Sequence, residues 1–244
     1  MPDLAVWGVL TMLAAGAPAA APDDPVAALV AALPGVPPAE VRATLRAAAA
    51  ADGGTVARAA RRVLAEIAAD RARGAAEQRR VRAAAAPRPY GGSGGEHRLV
   101  RARHAGDAYY TPAATAGVDH GHVGLYSAVD QITEIAAGKK VYTIPYHGRW
   151  VRSGAALFEV RVARAGRDRA VAWALGRVGR DGYSYNFATN RLTAHVGAKN
   201  CSKLVWSAYR ATGGPDLDRN GGAGVYPRDV RDAPQSTVYR VIGG

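Results

Sequence analysis

Apolar and polar positions change rhythm twice along this chain. An apolar run from Leu4 to Leu13 comes first, followed by small residues that offer Ala17-Pro18-Ala19 and Ala19-Ala20-Ala21 as cleavage sites. The run is too short to span a bilayer and fits a secretory signal peptide over residues 1–21, although Asp3 stands where a basic residue is usual. From 22 to 86 the spacing is helical and alanine-rich. In "TVARAARRVLAEIAADRA" one face carries Val56, Ala60, Val63, Leu64 and Ile67, and the arginines lie opposite. Pro25 and Pro38 suit first-turn positions, and Gly53-Gly54 interrupt the run. This pattern predicts a helical pair solvated on one side and packed on whatever follows. The glycines and prolines of "PRPYGGSGG" then mark a linker, placed over 87–97.

Beyond it, over 98–244, the rhythm shortens to the period of strands. "GDAYYT", "HVGLYSA", "QITEIAA", "KVYTIPY", "ALFEVRVA" and the closing "STVYRVI" read as strands, and "RDRAVAWALGRV" as a helix. A second helix begins at Cys201. Asn200 is a good N-cap; Leu204, Val205, Ala208 and Tyr209 recur at helical spacing, and Gly213-Gly214 stop the run. Strand runs beside segregated helices predict an α+β domain with a mainly antiparallel sheet.

Composition refines this picture. Hydrophobic residues make up 48% of 244, enough for a substantial core. The formal charge is +12, but only four of the 32 basic residues are lysines, and the arginines are scattered rather than interleaved with aromatics in a stripe. That excludes a nucleic-acid groove as the expected partner and leaves attraction to an anionic cell envelope.

The single cysteine, Cys201, cannot form an internal disulfide and has no neighbours at metal-ligand spacing, so neither a metal nor a cofactor is expected. Free cysteine often serves as a small buried filler. Cys201, however, falls in a predicted first helical turn, where unpaired amides and the positive end of the dipole stabilise a thiolate. A thiolate nucleophile needs a base and a group to orient that base. His122 opens the strand "HVGLY", with Val123 and Leu125 on one face and His122, Gly124 and Tyr126 on the other. Gly124 leaves room for a substrate or a second side chain. A hairpin centred near Val129 makes Glu134 the diagonal neighbour of His122. His120 competes as the base, and Asp119 or Asp130 as the orienting acid.

The order "GD…HVGLY…TE…YSYNF…NCSKLVW…DLDRNGG…YPRDV" resembles the circularly permuted papain-like hydrolases related to NlpC-type peptidases, in particular the YiiX group, from about Arg98 onward. The resemblance implies a cysteine peptidase or amidase with His122 as general base, Glu134 as its orienting acid and Cys201 as nucleophile. It also implies a cleft lined by Tyr183, Tyr185, Asn186 and Asn200. Lys203 departs from the pattern, standing where an acid is usual. The implied substrates are a peptide amide of peptidoglycan or an acyl amide or ester of a lipid. A non-catalytic, basic wall-binding module on the same fold is the competing reading. "DLDRNGG" mimics the first half of a calcium loop, but Pro227 occupies the position of its bidentate glutamate, so the stretch is read as a turn.

Overall fold

The computed structural model describes residues 24–84, 96–115 and 118–243. The expected signal peptide and the linker up to 95 lie outside the described residues. Glu96 and His97, placed at the end of the linker, belong instead to a strand.

Three helices lead the chain: α1 (Pro25–Ala32), α2 (Pro38–Ala51) and α3 (Val56–Ala84). Asp24 starts the first by accepting the Val26 amide at 2.8 Å, and Pro25 follows at a position whose missing N–H is of no consequence. Their apolar faces enclose a core of Leu29, Val41, Leu45, Ala60 and Val63 that also takes in Ala188 of the following domain.

The strands follow as β1 (Glu96–Arg98), β2 (Ala108–Thr111), β3 (Ala114–Thr115), β4 (Val118–Asp119), β5 (His122–Ala128), β6 (Gln131–Glu134), β7 (Tyr142–Pro145), β8 (Trp150–Arg152) and β9 (Ala155–Val160). After them come α4 (Arg164–Leu175), α5 (Cys201–Arg210), α6 (Pro227–Arg231) and β10 (Ser236–Ile242). Six strands form one antiparallel sheet in the order β10-β9-β2-β5-β6-β7. The domain is therefore α+β with a mainly antiparallel sheet, as the two-residue alternation predicts.

Alternation also separates the two faces of this sheet. Val123, Leu125 and Phe158 pack against Leu204, Val205 and Ala208 of α5 and Ala170 of α4. Tyr109, Tyr126, Ile132 and Leu157 form a second cluster on the opposite face, with Val151 of β8.

The leading helices are docked on this domain by a charged seam. Arg228 on α6 is 1% exposed and pairs with Asp70 at 3.5 Å and Glu77 at 3.0 Å, while Arg73 reaches Asp229 at 2.6 Å. Glu66 accepts the backbone amides of Ala223 and Gly224 at 3.0 and 3.1 Å. Such pairs, withdrawn from water, fix register between elements that apolar contact alone would let slide.

Candidate functional site

Gly121 turns the chain into β5 with a left-handed φ of 75°, its amide donating to Ala113 O at 2.8 Å. His122 is thereby set at the mouth of the strand, 8% exposed. In the β5–β6 hairpin Leu125 faces Thr133 and Tyr126 faces Ile132, so Glu134 falls diagonally across from His122 on the same face. His122 Nε2 donates to Glu134 Oε2 at 2.9 Å. With Nε2 committed there, Nδ1 is the ring nitrogen left for Cys201, which stands close enough to raise the basicity of the imidazole.

Cys201 opens α5, and Asn200 is its N-cap: the Asn200 Oδ1 accepts the Lys203 amide at 3.0 Å. Ser202 and Asn190 also donate to that oxygen, at 3.0 and 3.1 Å, while Asn200 Nδ2 donates to Asn186 O at 2.9 Å. The thiol is 1% exposed and seated at the edge of the main core.

Glu134 is the most heavily partnered group in the site. Across the sheet, one row runs Tyr109, Gly124, Glu134, Tyr142, because Tyr109 faces Gly124 and Glu134 faces Tyr142. Tyr142 donates to Glu134 Oε1 at 2.6 Å, and the Tyr109 hydroxyl donates to Oε2. Tyr109 reaches that far only because Gly124 has no side chain: a Cβ there would lie 2.5 Å from the tyrosine ring. Arg149 adds its charge at 3.6 Å.

Burial alone would push the Glu134 carboxyl up, but the His122 hydrogen bond and charge, Arg149 and Tyr109 overcome it and hold it at about 2. For His122 burial works against the imidazolium, yet Cys201 and Glu134 together raise it to about 9. The arrangement is a buried thiol, an imidazole held as a cation and a permanently charged carboxylate in series.

His120, the competing base, is engaged differently. His120 stacks on Phe187 with ring centroids 4.3 Å apart and bonds through Nδ1 to Gly121 O. Tyr183 does stand beside the nucleophile: burial first, then Cys201 and Tyr185, push its phenol well above the ordinary value. Tyr185 meets Tyr183 edge-on at 5.0 Å and lines an adjoining cavity. Asn186 and Asn200, expected in the cleft, are structural instead. Asn186 bonds Glu40 of α2 at 2.8 Å and Thr189 through both ends of its amide, and Asn200 serves the cap. In "DLDRNGG" Asp216 and Asp218 hold the Arg191 guanidinium, Asp218 at 2.7 Å. Among the described residues no group of three or more histidine, cysteine or acidic side chains converges as a metal site.

Comparison with known proteins adds one relative. The Bacillus subtilis (strain 168) protein called "Uncharacterized protein YycO" is 45% identical over 152 residues, which is 62% of this chain and 61% of the relative. The match thus spans about three-fifths of that relative's own length, and its name carries no activity to transfer. No family model and no solved structure matches the chain.

Sequence reasoning missed Tyr109, Tyr142 and Arg149, which join His122 around Glu134. Face parity was their only trace. Tyr109 lies on β2 and Arg149 follows β7, so no local spacing ties either of them to Glu134.

Proposed function

We propose that the chain is a thiol hydrolase that cleaves an amide bond through Cys201, His122 and Glu134, on a permuted papain-like arrangement in which the histidine strand precedes the cysteine helix. The observation that carries this reading is the His122–Glu134 pair at 2.9 Å, with Cys201 at the start of a capped helix near enough to act on the same imidazole. A pure filler cysteine has no use for a charged imidazole backed by a carboxylate.

In the proposed reaction His122, held as a cation, already carries the proton of Cys201, and the thiolate attacks the amide carbonyl. The Lys203 amide is already taken by the Asn200 cap, so stabilisation of the oxyanion falls to the Cys201 amide at the helix start. The amide C–N bond breaks as His122 returns its proton to the departing amine, leaving a thioester on Cys201. Water, deprotonated by His122, then hydrolyses the thioester and restores the thiol. Glu134 holds the ring in one orientation and stabilises its cation throughout.

The substrate in this reading is a peptide amide of the cell wall, reached by a chain whose charge of +12 favours an anionic envelope. Purified chain offered cell-wall peptide fragments releases a free amine, and Cys201→Ala or His122→Ala lowers turnover by roughly 10⁴-fold or more. Undiminished turnover in Cys201→Ala ends the hydrolase reading. Release of carboxylate from an acyl-lipid ester, with wall fragments untouched, moves the activity to the lipid alternative. Retention on wall material without any Cys201-dependent product leaves the binding module.

A further inference from the structure

The segment 183–187 has two unlike sides. Ser184 and Asn186 face a polar space with Glu40, Lys199 and Lys203. Tyr185 and Phe187 face a cavity of about 70 Å³ whose far wall comes from outside the catalytic domain: Leu33 and Pro34 at the end of α1, and Ile67 of α3. His120, two residues before His122, Ala188 and Tyr226 continue the wall, and Asp70 and Arg71 of α3 also border it. The lining runs on to the reacting groups through two ring contacts: Tyr185 meets Tyr183, whose phenol senses Cys201, and Phe187 stacks on His120, two residues before His122.

From this continuity we infer that the leading helices form one wall of the substrate site, and that this cavity takes a small branched aliphatic group flanking the scissile amide. The inference rests on the hydrolase reading for the word "scissile", but the binding site stands on the cavity. Size decides the class of group. About 70 Å³ is roughly half of the ~150 Å³ apolar cavity that holds a benzene molecule, so it accommodates a branched side chain and not a long acyl tail. The lining decides its polarity: an aliphatic group loses nothing against Leu33, Pro34, Ile67 and Phe187, whereas a charged group would have to compete with the pairs that the bordering Asp70 already makes with Arg73 and Arg228.

The test uses the full chain carrying Cys201→Ala, which cannot turn over, and two series of simple amides. One grows on the acyl side from acetyl to 3-methylbutanoyl to octanoyl; the other grows on the amine side from N-methyl to N-3-methylbutyl to N-octyl. Calorimetry gives each dissociation constant. Burial of a methylene yields about a fourfold gain, so one of the two branched compounds binds at least about tenfold tighter than its smallest analogue, and the eight-carbon analogue gains nothing further. Ala32→Phe, which fills the cavity from the end of α1, erases that gain, and Leu33→Ala extends it to the eight-carbon compound. Thermal midpoints show that both variants are folded, and if Ala32→Phe is not, Leu33→Ala still decides. Affinity independent of size in both series, or a gain that survives in a folded Ala32→Phe chain, overturns the inference. So does a steep further gain at eight carbons, which points to a lipid. Wild-type chain on the same amides separates the two ideas. Size-dependent binding without Cys201-dependent turnover removes the hydrolase reading and keeps the cavity, while Cys201-dependent turnover blind to size does the reverse.

Discussion

Glu134 in the sheet and Glu66 in the seam under α3 are both carboxylates drawn out of water, and they titrate in opposite directions. Glu134 meets two cations and two phenols and is held at about 2. Glu66 meets only two backbone amides, with Asp218 and Asp229 nearby; burial and those like charges raise it to about 7 despite the amides. Asp70 follows Glu66, pushed by burial to about 6 against the pull of Arg228 and Arg73. Desolvation is common to both regions, so the partners decide. The sheet region keeps a charge through the neutral range, as an orienting acid must. The seam takes up protons just below neutrality, so the attachment of the leading helices is the pH-sensitive part of the molecule.

The largest test of this contrast removes Arg228. Its loss takes one buried cation from Asp70 and Glu77, which keep Arg73 and Arg231, a change toward the low end of the roughly 3–5 kcal/mol for a broken buried pair. Arg228→Ala is expected to lower the unfolding free energy measured by urea denaturation by that amount. Because Ala188 is shared between the two cores, the helices and the catalytic domain should unfold together. A separate early transition for α1 to α3, with the catalytic domain untouched, would show the seam to be an attachment and not part of one core.

A smaller effect is expected in the sheet. Gly124→Ala puts a methyl within 2.5 Å of the Tyr109 ring, and overpacking of this kind costs about 1–3 kcal/mol. Chemical denaturation measures the cost. Restored stability in Gly124→Ala combined with Tyr109→Phe is not expected, since the ring and not the hydroxyl is displaced; Tyr109→Leu in the same background should recover part of it.

Next in size is the pH profile of turnover. His122 must be protonated to release the amine, and its cation persists to about pH 9, so activity should fall on the alkaline side near there. Glu134→Gln removes a charge that raises His122, and the alkaline limb should move to lower pH while part of the activity remains. An unmoved limb would mean that Glu134 only packs against the ring.

The smallest effect concerns stability. A carboxyl whose folded pKa is raised, as in Glu66, adds stability below its ordinary value of 4.5 that is lost as pH climbs through about 7. Glu134, depressed to about 2, has the opposite sign: its contribution is present above 4.5 and lost as pH falls through about 2. Glu66→Gln should therefore flatten the decline in thermal midpoint between pH 5 and 8 without touching the acid limb. An unaltered slope would place the titrating group elsewhere in the seam.

Much of the site was legible in the chain because its rules are local. Helical spacing and an asparagine cap put Cys201 in a first turn. Two-residue alternation put His122 and Glu134 on one face, and a hairpin centred near Val129 gave their diagonal register. Sequence favoured His122 with His120 as its competitor near the same strand end, and packing gave one of them a carboxylate and the other Phe187. Asn186 was expected in the cleft from the family resemblance, yet the tertiary fold gave it Glu40, 146 residues away, as partner. The same holds for Tyr109, Tyr142 and Arg149 around Glu134, and for α1 and α3 beside the cavity. Local pattern sets which face a side chain takes, because backbone geometry repeats every two or 3.6 residues. Which faces meet depends on how sheet order and helix docking close long loops of chain, and no short-range spacing encodes that closure.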